Sequence, residues 1–321
     1  MGTTSSHTNT ASSRSHDGYI HDVLLWSGSR DFVTTVSDFL KQGVLAGEAA
    51  LVALPGARLR AVRSALGEAA HHVTLAEMES LGSNPARITS ACVDFVVAAG
   101  DRPSRAVGES LWTGRSSAEV SECQLHEALL NDAIPAAAPL WLRCSYEVGR
   151  LPDVVVEQAL RTHPWVADRD GAAHPNESFG GADLGAEGFA TPLPAAPEDS
   201  IVRPITPDTL RRVRDLALHV ARVCGISEER ATDLGLALHE LGVNSIVHGR
   251  GSGLLRLWRT RDALVCEVTD EGVVADPLAG RITPGAEQPD GRGLWMVNQL
   301  CDLVQLRSSA AGTAVRVHTW L

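Results

Sequence analysis

One polar stripe constrains this chain more than any other feature. Residues Ala237 to Gly249 read Ala-Leu-His-Glu-Leu-Gly-Val-Asn-Ser-Ile-Val-His-Gly. Glu240, Asn244 and His248 stand at i, i+4 and i+8, which on a helix is a single line of side chains. Leu234, Leu238, Leu241 and Ser245 follow a neighbouring, mostly apolar line suited to a core. A solvated helix face accounts for such a stripe equally well, so its company decides. Downstream, Asp270-Glu271-Gly272 closes an apolar run, and Gly291-Arg292-Gly293-Leu294 opens a second helical pattern. Gly312-Thr313 then precedes a final strand.

Each motif suits one kind of chemistry. Magnesium takes hard oxygen ligands and keeps most of its waters, and the neutral amide oxygen of Asn244 supplies such a ligand without over-neutralising the ion. Glu240, one turn away, is placed to take a proton from an incoming hydroxyl or to orient it. The Asp270 carboxylate can accept from the exocyclic amine of adenine, a donor that guanine lacks, and Gly272 lets backbone approach a purine closely. Gly291 and Gly293 precede a helix from Leu294 to Leu300, where exposed N–H groups and the helix dipole favour phosphate; Arg292 adds charge there. His248 reads either as a helix cap or as packing beside the phosphates.

This ordered set resembles the GHKL ATP-binding fold of gyrase, the heat-shock chaperone, histidine kinases and a mismatch-repair protein, most closely its anti-sigma-factor serine/threonine kinase branch. The resemblance covers roughly the last third of the chain. It implies Glu240 as general base, Asn244 as magnesium ligand and Thr313 as a hydroxyl near adenine. The family pattern has a second glycine where this chain has Val274. ATP and Mg2+ are the implied cofactors.

Length and charge exclude other classes. The 321 residues suffice for two cores. A net charge of −11 with no Lys/Arg-rich block disfavours direct nucleic-acid binding. Six cysteines are scattered without a C-x-x-C pair, so buried reduced thiols are expected in place of zinc or disulfides. No apolar run approaches a membrane span. Residues 1–17, rich in Ser, Thr and His, read as a disordered tail and not as a signal peptide, so a cytoplasmic protein is expected.

From Gly18 to Val166 apolar strand-like runs alternate with helical patterns, which predicts a mostly parallel sheet covered on both faces, with ligands at the carboxyl ends of the strands. The spacing predicts a helix from Ser29 that ends at Lys41-Gln42-Gly43, and a strand from Arg105 to Trp112. Trp26-Ser27-Gly28-Ser29 stands where a phosphate loop would follow the first strand, with one glycine and no lysine, so nucleotide hydrolysis is not expected here. Gly108-Glu109-Ser110-Leu111-Trp112, His126-Glu127-Ala128-Leu129-Leu130-Asn131, Cys144-Ser145-Tyr146 and Arg161-Thr162-His163-Pro164 end successive elements. In this order they resemble the sensory domain of methanogens and methylotrophs (MEDS), a relative of the RecA/KaiC-type fold without its phosphate loop. Ser145 stands where that family's Cys-Pro-Tyr pattern has proline. The resemblance implies signal perception. His21, Glu109, Trp112, Cys144 and Tyr146 are the candidate pocket; for the last four, a strand edge with satisfied hydrogen bonds is the competing reading. Cys144 has no histidine beside it in sequence, which favours an inert thiol.

Residues 167–203 are rich in Gly, Ala, Pro, Asp and Glu and read as a flexible linker. Thr206-Pro207-Asp208 reads as a helix start. Helices against a mixed, largely antiparallel sheet follow over 204–321, and Asp276 to Asp290 reads as a lid. The expected fold class is α/β: an N-terminal three-layer αβα sensory domain (18–166) and a C-terminal GHKL (Bergerat) α/β sandwich. The resemblance implies phosphorylation of Ser/Thr on an anti-anti-sigma (STAS) partner, alternating with sequestration of a sigma factor; a homodimer is a further candidate assembly. Two rivals stand beside it: a regulator that binds ATP or only docks, and a histidine kinase output domain. The second lacks the helical hairpin that would carry a phosphorylated histidine.

Overall fold

The structure, a computed structural model, describes residues 18–168, 171–285 and 291–321. The expected tail at 1–17 lies outside the described residues. In the N-terminal unit the chain runs β1 (Ile20–Trp26), α1 (Ser29–Leu45), β2 (Ala49–Leu54), α2 (Gly56–Leu66), β3 (Val73–Glu77), α3 (Met78–Leu81), α4 (Pro85–Ala99), β4 (Ser104–Gly108), α5 (Ser117–Ala133), β5 (Leu140–Glu147) and α6 (Asp153–Thr162). β6 (Trp165–Ala167) and β7 (Ala173–Pro175) complete a sheet of order β3-β2-β4-β5-β1-β6-β7. All pairs in it are parallel except β6–β7. Strand alternation feeds two cores: Val23 of β1 packs with α4, α5 and α6, and Leu24 packs with α1 and α2. Two cores on two faces of one sheet make the three-layer αβα architecture.

The C-terminal unit follows α7 (Leu184–Ala190) and comprises β8 (Ile201–Ile205), α8 (Leu210–Val223), α9 (Glu228–Val247), β9 (Gly253–Arg259), β10 (Ala263–Asp270), α10 (Arg292–Leu300), β11 (Leu303–Ser309) and β12 (Gly312–Trp320). Its antiparallel sheet has the order β11-β12-β10-β9-β8. One face (Leu255, Leu264, Cys266, Val315, Val317) packs on α8, α9 and α10 as a two-layer sandwich. The opposite face is polar and buried: Glu267, Gln305, Arg307, Arg316 and His318. It lies under the N-terminal unit. Leu125 and Leu129 of α5 and Phe189 of α7 join the C-terminal core.

Four local expectations need correction. The segment expected to be a flexible linker, 167–203, carries β7 and α7, and Phe189 is 3 % exposed. Its apolar residues are too few to show a period, yet one phenylalanine seated between α5 and the C-terminal sheet suffices to anchor it. Gly43 does not end α1, which runs on to Leu45. A Cβ on Gly43 would stand 2.9 Å from Arg105 Cδ, so this glycine serves helix-to-side-chain contact, and the left-handed residue is Gly47 (φ 78°). The strand expected to reach Trp112 stops at Gly108. Likewise α8 starts at Leu210, because the Thr209 hydroxyl accepts from the Thr206 N–H at 2.8 Å and folds the Thr-Pro-Asp segment into a turn ahead of the helix.

Candidate functional site

Helix α9 sets the C-terminal site. Ser227 caps it by accepting from Arg230 N–H, and two acids occupy its first turn, which suits the positive end of the helix dipole. Its apolar line (Leu234, Leu238, Leu241) is buried, which leaves Glu240 and Asn244 half-buried on the adjoining line. Neither side chain is hydrogen-bonded among the described residues. His248 follows as the C-cap and is exposed.

The motifs far downstream return to this helix. Asp270, at the end of β10, accepts from the Ser245 hydroxyl at 2.6 Å and from Gly272 N–H at 2.9 Å. The Thr313 hydroxyl donates to Gly272 O at 2.9 Å and lies 2.9 Å from that of Ser308, which in turn accepts from Val274 N–H. Asn244, His248, Asp270 and Gly272 line one cavity of ≈ 260 Å³ with Gly291, Gly293, Leu294 and Thr313. Val268, Val273, Val274 and Leu306 form its apolar wall. Such a space, apolar on one side with convergent polar groups on the other, is the form of a small-molecule site.

Three glycines shape the site, each for a different reason. Gly291 (φ 86°) caps α10 in the left-handed conformation. Gly293 lies in the first turn of α10, where a Cβ would come within 2.9 Å of Glu240 Oε2. At Gly272 a Cβ would meet His248 O at 2.5 Å, so this glycine also serves the fold. Arg292 is the first residue of α10 and does not line the cavity. Of the expected lid, 286–290 lie outside the described residues. Its near end is docked on the N-terminal unit: Arg281 donates to Glu122 at 3.1 Å, and Thr283 donates to Asp94 at 3.0 Å.

The five residues expected to form a sensory pocket fall into two groups. Glu109, at the carboxyl edge of the sheet, is held by Arg58 at 2.6 and 2.5 Å, and Arg58 lies over Trp26. Burial pushes the Glu109 carboxyl up to about 7 despite that guanidinium. Trp112 stacks under Arg115, 3.8 Å from the ring centroid. His21, Cys144 and Tyr146 lie elsewhere, between the sheet and α5, where Glu127 and His163 join them. His21 Nε2 is 3.5 Å from Cys144 Sγ and 3.4 Å from Glu127 Oε2, so Cys144 does have a histidine beside it, one strand over. Burial pulls His21 down and pushes the Cys144 thiol and the Tyr146 hydroxyl well up. Sequence reasoning noted Glu127 and His163 only as element ends. Ser245 and Ser308 were missed as well; a serine on an apolar helix line three residues before the C-cap His248 was the available signal for Ser245.

Comparison with known proteins gives the class. The model for MEDS, the methanogen/methylotroph DcmR sensory domain, matches residues 20–164, and that for the histidine kinase-like ATPase domain matches residues 204–319. The chain therefore carries a MEDS domain and a histidine kinase-like ATPase domain. Among solved structures, the RsbU and RsbW domains of Rv1364c from Mycobacterium tuberculosis are similar at 18% identity and a TM-score of 0.29. That match covers 39% of this chain and 33% of the other, so this chain spans about a third of that one. No curated protein matches the chain. Among the described residues, no helix is long and apolar enough to cross a membrane.

Proposed function

We propose that the C-terminal domain binds Mg-ATP in the Asp270 cavity and transfers its terminal phosphoryl group to a serine or threonine of an anti-anti-sigma (STAS-type) partner, so controlling a sigma factor. One observation carries the reading: Glu240 and Asn244 lie four residues apart, half-buried and free of side-chain partners among the described residues, beside a cavity floored by Asp270. The donors fit the ion. Asn244 and Glu240 present hard oxygen, which magnesium prefers, and no thiol lines the cavity. Asp270, with Ser245 and Gly272 already fixing both carboxylate oxygens, keeps lone pairs to accept from an exocyclic amine. Thr313 and the apolar wall would flank the ring. Gly291, Arg292, Gly293 and Leu294 would bring the N-terminus of α10 to the phosphates. Magnesium, held by Asn244, would neutralise phosphate charge, and catalysis would otherwise consist of positioning. Glu240 would accept the proton of the incoming hydroxyl. His248 would stand at the mouth.

The N-terminal domain is proposed to set the state of this site through α5. Glu122, fully buried on that helix, holds both Arg281 at the near end of the expected lid and Arg307 at 2.5 Å on β11. Asn84, which caps the start of α4, and Arg87 of α4 hold the last turn of α10 through Asn298 and Gln299. Incubating the full chain with γ-labelled ATP, magnesium and a STAS-type protein should place acid-stable label on a serine or threonine of that protein. Label remaining off every protein would favour a docking regulator, and acid-labile label on this chain would favour histidine phosphorylation. Among the described residues of 167–203 there is no helical hairpin to carry such a histidine.

A further inference from the structure

Four buried side chains of the N-terminal domain converge on a point that none of them fills. His21 comes from β1, Glu127 from α5, Cys144 from β5, and His163 from the residue after α6. One ligand atom from each lies within 4.8 Å of all the others, and none of the four residues is more than 5 % exposed. We propose that His21 Nε2, Glu127 Oε2, Cys144 Sγ and His163 Nε2 form a closed, tetrahedral site for a divalent zinc ion.

The spacing supports this. Ligands at about 2.0–2.1 Å from a tetrahedral metal stand about 3.4 Å apart, and about 3.6 Å apart when one is sulfur at about 2.3 Å. Three of the six edges are 3.4 Å (His21 to Glu127), 3.5 Å (His163 to Glu127) and 3.5 Å (His21 to Cys144), and all six lie within 4.8 Å.

The protons support it independently. Asn131 donates its amide N–H groups to Thr162 O at 2.9 Å and Ala128 O at 3.2 Å, which turns its carbonyl oxygen toward His21 Nδ1 at 3.0 Å. His163 Nδ1 lies 2.7 Å from Ala159 O. Nδ1 of each ring therefore carries a hydrogen, which in a neutral imidazole leaves Nε2 as the acceptor; both Nε2 atoms face Glu127 Oε2, and that of His21 also faces Cys144 Sγ. The opposite Glu127 oxygen is already taken by the Ser110 hydroxyl at 2.5 Å. Glu127 Oε2 and His163 Nε2 are left buried with no hydrogen-bond partner. Acceptors facing an anion in a dry interior call for a cation between them. Two neutral imidazoles, a carboxylate and a thiolate sum to two negative charges, which a divalent ion cancels. Mixed nitrogen, oxygen and sulfur donors in a tetrahedron select zinc, and four protein ligands leave no open position, so the ion ties β1, β5, α5 and α6 together and performs no hydrolysis. The histidines' outer hydrogen bonds are the second shell such a site uses.

Full-length protein produced in zinc-replete medium and purified without chelator should carry close to one zinc per chain by elemental mass spectrometry. Replacement by cobalt(II) should give the visible bands of a tetrahedral centre and a near-ultraviolet thiolate charge-transfer band. Cys144→Ser should abolish the charge-transfer band, and Asn131→Leu should weaken affinity by about 10–100-fold in competition with a chromophoric chelator. A folded native chain that holds less than a tenth of an equivalent after reconstitution would overturn the site. So would a Cys144→Ser variant that keeps the thiolate band. Should Cys144→Ser fail to fold, the native stoichiometry and cobalt spectrum still decide.

Discussion

Glu240 and Asn244 sit one turn apart on a single helix, half-buried and without side-chain partners among the described residues, Asn244 lining the cavity and Glu240 beside Gly293 at its edge. His21, Glu127, Cys144 and His163 come from four places in the chain and are buried together. Open polar groups cost the fold little, because water satisfies them until a ligand does. Buried ones must be satisfied from within, so their arrangement is tied to stability. The first set is built for an occupant that comes and goes, the second for one that stays.

The contrast is sharpest in what truncation should do. Glu122→Ala would leave Arg281 and Arg307 buried against each other with no counter-charge, and should lower stability by about 3–5 kcal/mol in denaturant unfolding. A loss no larger than that of a surface variant would remove Glu122 as the joint between the domains. The next effect is one of pH. Burial, with Arg316 nearby, holds the His318 imidazole down to about 4. The folded state then stays neutral while the unfolded chain takes a proton below about 6.5, so this contribution is complete above that pH and is lost as pH falls toward 4. From pH 6.5 to 5 it amounts to about 2 kcal/mol. Unfolding measured across that range should show the slope, and His318→Gln should flatten it.

Smaller effects belong to the open site. In Gly293→Ala the new methyl would displace the Glu240 carboxylate, the free end of a flexible side chain. Phosphoryl transfer should fall about tenfold, or about 1.4 kcal/mol in barrier, with unfolding unchanged. A variant that transfers at the parental rate would separate Glu240 from the chemistry. Smallest of all, Asn244→Ala should change unfolding free energy by less than about 0.5 kcal/mol, as for a surface substitution, whatever it does to ligand binding.

The same contrast explains what the sequence made legible. A helix repeats its face every few residues, so the Glu240, Asn244 and His248 line is local information, and the glycines around it mark turns that few other residues allow. The apolar runs Gly253 to Trp258 and Ala263 to Thr269 are equally local, and the structure makes each a strand that ends one residue later. The four-ligand cluster was not. His21 and Cys144 are 123 positions apart and meet only because β1 pairs with β5 in register, with Val23 opposite Cys144. Nothing in the spacing of either residue encodes that pairing. Expecting ligands at the carboxyl edge of the sheet directed attention to Glu109, which the structure gives to Arg58. The segment at 167–203 misled for a related reason: its composition is that of a tether, and only the polar face of the second sheet, with Arg316 donating to Pro194 O at 2.7 Å, gives it a place to lie.

The most direct test of the account is a calorimetric titration of the full chain with Mg-ATP, run beside Asn244→Ala and Glu240→Ala. Binding at a single site in the native chain, kept by Glu240→Ala and lost by Asn244→Ala, is the predicted result. No heat from the native chain at millimolar Mg-ATP, or equal binding by Asn244→Ala, would contradict it.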